Sequence, residues 1–110
     1  MSVLIFIEHT EGQIKKSSLE TLSYGAKLAA QMGDVAEGMV LGAPADNLAD
    51  LGKYGVKKIY QVENELLHQF DSQVYTKVIA QVAQETGAKT IIFSNDSAGK
   101  SLAPRVAVRL

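Results

Sequence analysis

The stretch Thr90-Ile91-Ile92-Phe93-Ser94-Asn95-Asp96-Ser97-Ala98-Gly99-Lys100-Ser101-Leu102-Ala103-Pro104-Arg105 joins a strand-like run to a helix-like one. Thr90 to Phe93 is apolar and partly β-branched, while Leu102, Val106 and Leu110 recur at helical spacing. An open α/β sheet places its ligand loops at such junctions, where the carboxyl end of a strand faces a helix amino terminus. The amino-terminal run Val3-Leu4-Ile5-Phe6-Ile7 is apolar throughout. Such a run suits a strand covered on both faces, as parallel sheets require.

The same alternation fills the rest of the chain. Polar residues run from Glu8 to Lys16, and Ser17 with Glu20 has the spacing of a capping box. Leu19, Leu22, Ala26, Ala29 and Ala30 then share a helical face, with Gly33 placed as a left-handed stop. Val35 to Ala43 reads as a second strand that Pro44 ends. Asp46 or Asn47 is a candidate cap for a short helix over Leu48 to Leu51, closed by Gly52 and Gly55. Val56 to Val62 is the third strand. Val74, Tyr75, Val78, Ile79, Val82 and Ala83 mark a helix between a Ser72 cap and a Gly87 stop. Lys89 to Phe93 is the fourth strand. The order β-α-β-α-β-α-β-α predicts an α/β fold: a three-layer, doubly wound parallel sheet. The last helix reaches Leu110 without a Gly, Asn or Pro stop, so we expect a truncated chain and an incomplete sheet.

Composition narrows the chemistry. Hydrophobic residues form 46% of the 110 positions, charged residues 21%, and the net charge is -1. That balance is globular and carries no field favouring nucleic acid. With no cysteine there is neither a disulfide nor thiolate chemistry. No apolar run approaches the ~20 residues of a membrane span, and no signal peptide precedes Glu8. No membrane insertion is expected, and a bacterial, cytoplasmic location is.

The sharpest chemical hint is Gly99-Lys100-Ser101. A phosphate-binding loop reads G-x-x-x-x-G-K-[ST], and Ser94 stands where its first glycine belongs. Pro104 follows closely, tolerable only in a first helical turn. The bland alternative is a left-handed glycine turn, with Ser101 capping the final helix and Lys100 in solvent. Between the two lies an anion or partner contact through Asp96, Ser97, Gly99, Lys100 and Ser101. Asp96 suits either a ribose hydroxyl or an Asx-turn. His9 beside Glu8 offers an acid–base pair at the ligand edge, but a structural role fits it better, and His68 reads as exposed. The acidic residues lack metal-ligand spacing. No G-x-G-x-x-G follows the first strand, which argues against a dinucleotide site.

Taken in order, several segments resemble one family, the amino-terminal domain of the electron transfer flavoprotein α subunit. They are Val3-Leu4-Ile5-Phe6-Ile7-Glu8-His9 with Gly12, Ser18-Leu19-Glu20 with Ala26, and Val40-Leu41-Gly42. Tyr54-Gly55-Val56-Lys57-Lys58-Ile59-Tyr60 and Gly99-Lys100-Ser101-Leu102-Ala103-Pro104-Arg105-Val106-Ala107 complete the set. The resemblance implies a fold similar to adenine-nucleotide α-hydrolase-like domains. It implies FAD in the full-length protein, bound in a carboxyl-terminal domain absent from residues 1–110, with none held by this stretch. It also implies a partner β subunit, which carries a structural AMP, and electron donors among acyl-CoA and other dehydrogenases. On that reading the chain is a non-catalytic scaffold and subunit-interface domain. The alternative is an independent adenine-nucleotide-binding domain using the loop from Asp96 to Ser101.

Overall fold

The computed structural model describes residues 2–10, 13–42, 48–67, 71–94 and 97–109. Strand β1 (Ser2–Ile7) is buried along its whole length and lies between two parallel neighbours. β4 (Val35–Leu41) pairs with one side of it, Ser2 opposite Val35 through Ile7 opposite Val40. β6 (Thr90–Ile92) pairs with the other, Leu4 opposite Ile91. β5 (Lys58–Val62) adds beyond β4, giving the order β5-β4-β1-β6. Between β1 and β4 runs helix α1 (Lys16–Met32), and between β5 and β6 runs α2 (Ser72–Thr86). Helix α3 (Ser97–Arg109) follows β6 and packs beside α2.

The continuous apolar run of β1 is explained by two cores. Leu4 and Phe6 face α2 and α3 through Ile79, Val82, Leu102 and Val106. Val3, Ile5 and Ile7 face α1 and the segment after β4 through Leu22, Ala29, Leu51 and Val56. Successive strand residues point to opposite faces, and both faces are covered, so every position from Val3 to Ile7 is apolar. The result is the three-layer, doubly wound arrangement that the alternation predicts. Gly25 of α1 sits directly on Ile5: a Cβ there would lie 2.5 Å from Ile5 Cδ1. That glycine is what lets the helix approach the sheet.

Both helix stops are where the glycines predict them. Gly33 and Gly87 adopt φ of 74° and 71°, and their N–H groups close onto the last turns of α1 and α2. The starts differ. Lys15, not Ser17, precedes α1 and makes no side-chain cap. Ser17 falls inside the first turn, and the next residue, the buried Ser18, accepts the Glu8 N–H at 2.8 Å. Asp71, not Ser72, caps α2, accepting from Gln73 and Val74 N–H. A carboxylate at that position also meets the positive end of the helix dipole.

Other boundaries move too. Ser18 and Gly25 join Leu22 and Ala29 on the buried side of α1, while Ala30 is exposed. A 3₁₀ helix spans Leu48–Tyr54, passing through Gly52 and ending at Gly55 with φ of 99°. Its expected caps, Asp46 and Asn47, and also Ala43, Pro44 and His68, lie outside the described residues. A short hairpin, β2 (His9–Thr10) against β3 (Gln13–Ile14), occupies what reads as a polar linker. A second 3₁₀ turn covers Glu65–Leu67.

Candidate functional site

The strand order places the topological switch between β1 and β6, because the chain leaves their carboxyl ends toward opposite faces. Around that crevice stand Glu8 after β1, Ser94 after β6, and the first turns of α1 and α3. Ser94 is 4% exposed, and its hydroxyl lies 2.9 Å from the Thr21 hydroxyl. Thr21 already donates its only proton to the Ser17 carbonyl at 2.8 Å. Ser94 must therefore donate to Thr21. Together with the bond from the Glu8 N–H to Ser18, this ties the ends of β1 and β6 to the first turns of α1.

Gly99 is held from the other side. A Cβ on Gly99 would collide with the Ser94 carbonyl oxygen, and Phe93 Cβ lies 3.3 Å away. The expected left-handed turn is absent: Gly99 lies inside α3 and is not among the positive-φ glycines. Ser101 consequently does not cap the helix, which starts at Ser97, four positions earlier. Four residues, 93–96, connect β6 to α3. A phosphate loop needs irregular backbone whose N–H groups converge on the anion. Here residues 97–99 are already helical, and Gly99 makes room for a carbonyl of the chain itself.

The remaining candidates separate in space. Lys100 is exposed and Ser101 half-buried, one turn into α3. Ser97 opens that helix, and Asp96 lies outside the described residues. Glu8 and His9 take different partners. The Glu8 carboxyl group is buried on the side of α2, where its charge acts on Tyr75. Burial first, then that charge, pushes the Tyr75 hydroxyl above its ordinary range, and the hydroxyl donates to the Leu67 carbonyl at 2.9 Å. His9 Nε2 lies 2.8 Å from the Leu41 carbonyl oxygen, so that nitrogen carries the proton and donates. His9 thus fastens the hairpin to the end of β4. Sequence reading missed these fastenings because they join residues 10, 32 and 73 positions apart.

A second concave region, about 450 Å³, lies at the opposite, amino-terminal end of the strands. Ser2, Glu37, Lys58 and Tyr60 line it, and Tyr60 donates to Glu37 Oε2 at 3.1 Å. Among the described residues no three His, Cys, Asp or Glu side chains come together as a metal site. No described helix is long and apolar enough to cross a membrane.

Sheet order and two cores define a Rossmann-like α/β domain. A universal stress protein family member from Burkholderia pseudomallei superposes with a TM-score of 0.65 at 17% identity, over 98% of this chain and 88% of that one. The universal stress protein of Archaeoglobus fulgidus gives 0.61 at 11%, over 94% and 91%. Residues 3–110 match the electron transfer flavoprotein domain, and the chain belongs to that family. It is 32% identical over 108 residues to Protein FixB of Clostridium saccharobutylicum. It is also 32% identical over 109 residues to the electron transfer flavoprotein subunit alpha of Clostridium acetobutylicum. Each alignment covers 98% of this chain and 32% of the relative, so the chain spans about a third of their length.

Proposed function

We propose that residues 1–110 are the amino-terminal domain of an electron transfer flavoprotein α-type subunit. Its work is mechanical: it packs against a β-type subunit and supports a flavin held elsewhere in the longer polypeptide. No side chain of this stretch does chemistry on the electron path. The family match along residues 3–110 carries this reading. The relatives named subunit alpha extend about three times as far, which leaves room for a separate flavin domain. Electrons would enter the complex from acyl-CoA or other dehydrogenases.

The described residues of the switch crevice do not fit FAD. Ser94 spends its hydroxyl on Thr21, Gly99 abuts the Ser94 carbonyl, and the buried Glu8 carboxyl group stands where a pyrophosphate would need positive surroundings. The same three features speak against adenine nucleotide in the loop from Asp96 to Ser101.

Denaturing the purified chain and assaying released ligand tests both points. We expect residues 1–110 alone to be colourless and free of nucleotide. The native polypeptide that carries them, co-purified with its β-type subunit, should be yellow. A stoichiometric yield of adenine nucleotide from residues 1–110 would overturn the scaffold reading.

A further inference from the structure

The concave region at the amino-terminal end of the strands is floored by one face of the sheet. Leu4, Phe6 and Met39 of that face are packed beneath α2 and α3. Strand alternation puts Ser2, Glu37, Lys58 and Tyr60 on the same face, nearer the starts of β1, β4 and β5. Helix α2 ends with Thr86 on the rim, so the face is open here and leaves a volume of about 450 Å³.

The polar groups around this volume are not matched to one another. Glu37 and Lys58 stand directly opposite in the register of β4 and β5, where opposite charges ordinarily pair. They do not pair. The Lys58 ammonium lies over the Tyr60 ring, 5.2 Å from its centre, and Glu37 Oε2 accepts the Tyr60 hydroxyl. Among the described residues Glu37 Oε1 has no partner, and no ion pair joins the two charges. Ser2 is 8% exposed, and its buried hydroxyl has no hydrogen-bond partner. Buried hydroxyls are almost always bonded, so this one marks a group that the described chain does not supply. Another staggered position turns its oxygen toward the cavity without moving the backbone.

The charges select the occupant. A simple anion would meet Glu37, and a simple cation would meet the exposed Lys57 and Lys58 on the rim. The backbone of a covering peptide segment is neutral and answers neither. Adjacent strands lie about 5 Å apart, so one small molecule with both charges on a single carbon can reach both sides. Val35, which also lines the cavity, adds an apolar wall beside Ser2. We infer that this cavity binds a free amino acid with an aliphatic side chain. Its ammonium donates to Glu37 Oε1 and the Ser2 oxygen, its carboxylate accepts from Lys58 Nζ, and its side chain lies on Val35.

The test uses the native polypeptide that carries residues 1–110, with L-leucine as the probe and calorimetry as the readout. Leucine should bind saturably and in a one-to-one ratio. N-acetyl-L-leucine lacks the ammonium and L-leucinamide lacks the carboxylate, and each should bind about tenfold or more weakly. Glu37→Gln and Lys58→Gln should each weaken leucine to a similar degree, and Glu37→Gln should narrow the gap between leucine and its N-acetyl derivative. Ser2→Ala separates binding from folding. It should weaken leucine several-fold while the empty protein melts no lower, because no bond of the empty protein is lost. A lower melting temperature for Ser2→Ala would give that hydroxyl a structural partner and overturn its role in the site. Failure of the native polypeptide to bind leucine, as when another of its segments fills the cavity, overturns the proposal. So does equal binding of leucine, its N-acetyl derivative and its amide, or by the unchanged protein and both charge variants.

Discussion

Gly99 and Lys100 are consecutive in sequence and belong to different surfaces. Gly99 looks into the crevice between β1 and β6, where polar atoms of this chain bond to one another. Lys100 looks outward from α3, where cations and apolar side chains meet solvent. The crevice stands at the edge where α/β sheets ordinarily hold ligands, yet the Glu8 N–H and the hydroxyls of Ser18, Thr21 and Ser94 are engaged within the chain. The outward face has no such pedigree, and its side chains are exposed among the described residues. Position in the fold therefore says where a ligand can sit, and hydrogen-bond accounting says whether this chain has kept the place open.

The strongest way to break that contrast is Gly99→Ala. The added methyl meets a backbone oxygen rather than the mobile end of a side chain, so α3 or the end of β6 must shift. We expect a loss of about 3 kcal/mol from overpacking, offset by about 1 kcal/mol of better helix propensity. The melting temperature should drop by roughly 10 °C. An unchanged melting temperature would mean that the crevice is slack enough to admit a ligand after all.

Ser18→Ala comes next. It removes the acceptor for the Glu8 N–H, which is buried where β1 ends. Leaving such a donor unsatisfied costs about 1–3 kcal/mol. Chemical denaturation should show a lower midpoint with an unchanged slope, because the surface exposed on unfolding stays the same. A neutral result would show that water reaches this N–H, and that the crevice is wetter than its bonding implies.

How much of this contrast was legible beforehand follows from the range of each interaction. The apolar run of β1, the periodicity of α2 and the stops at Gly33 and Gly87 are local signals, and each reads correctly. The α1 cap expected at Ser17 failed because the helix already begins at Lys16, which puts Ser17 inside its first turn. The hairpin from His9 to Ile14 has two residues per strand, too few for alternation to register. Gly99 misled most. Read locally, a glycine just ahead of Lys100 and Ser101, between a strand-like and a helix-like run, means a turn. In the fold it is a helical residue chosen because it leaves room for the Ser94 carbonyl, and that carbonyl is visible only in three dimensions.

Tyr75→Phe probes the side of the crevice nearest α2. Loss of the bond to the Leu67 carbonyl should cost about 1 kcal/mol at neutral pH. Its alkaline behaviour is more telling. The folded hydroxyl titrates above the ordinary value of 10.0, from burial first and the Glu8 charge second. Above pH 10 the unfolded chain loses this proton while the folded chain still holds it, so stability falls as pH rises. Below pH 10 both states are protonated and the contribution is fully present. Stability measured from pH 8 to 11 should decline for the unchanged protein and decline less steeply for Tyr75→Phe. Equal slopes would mean that neither burial nor the Glu8 charge raises the Tyr75 hydroxyl.

Lys100→Ala should have the smallest effect on the domain by itself, and that is its use. The side chain is exposed and no shift in folding stability beyond about 0.5 kcal/mol is expected. If Lys100 gripped phosphate, the variant would lose bound nucleotide and the stabilisation that a ligand gives by mass action. If it lies in solvent, melting temperature and nucleotide content should match the unchanged chain. A loss of stability on adding the substitution without any partner would place Lys100 on the inward side, against Gly99. The two surfaces of α3 would then no longer be separate.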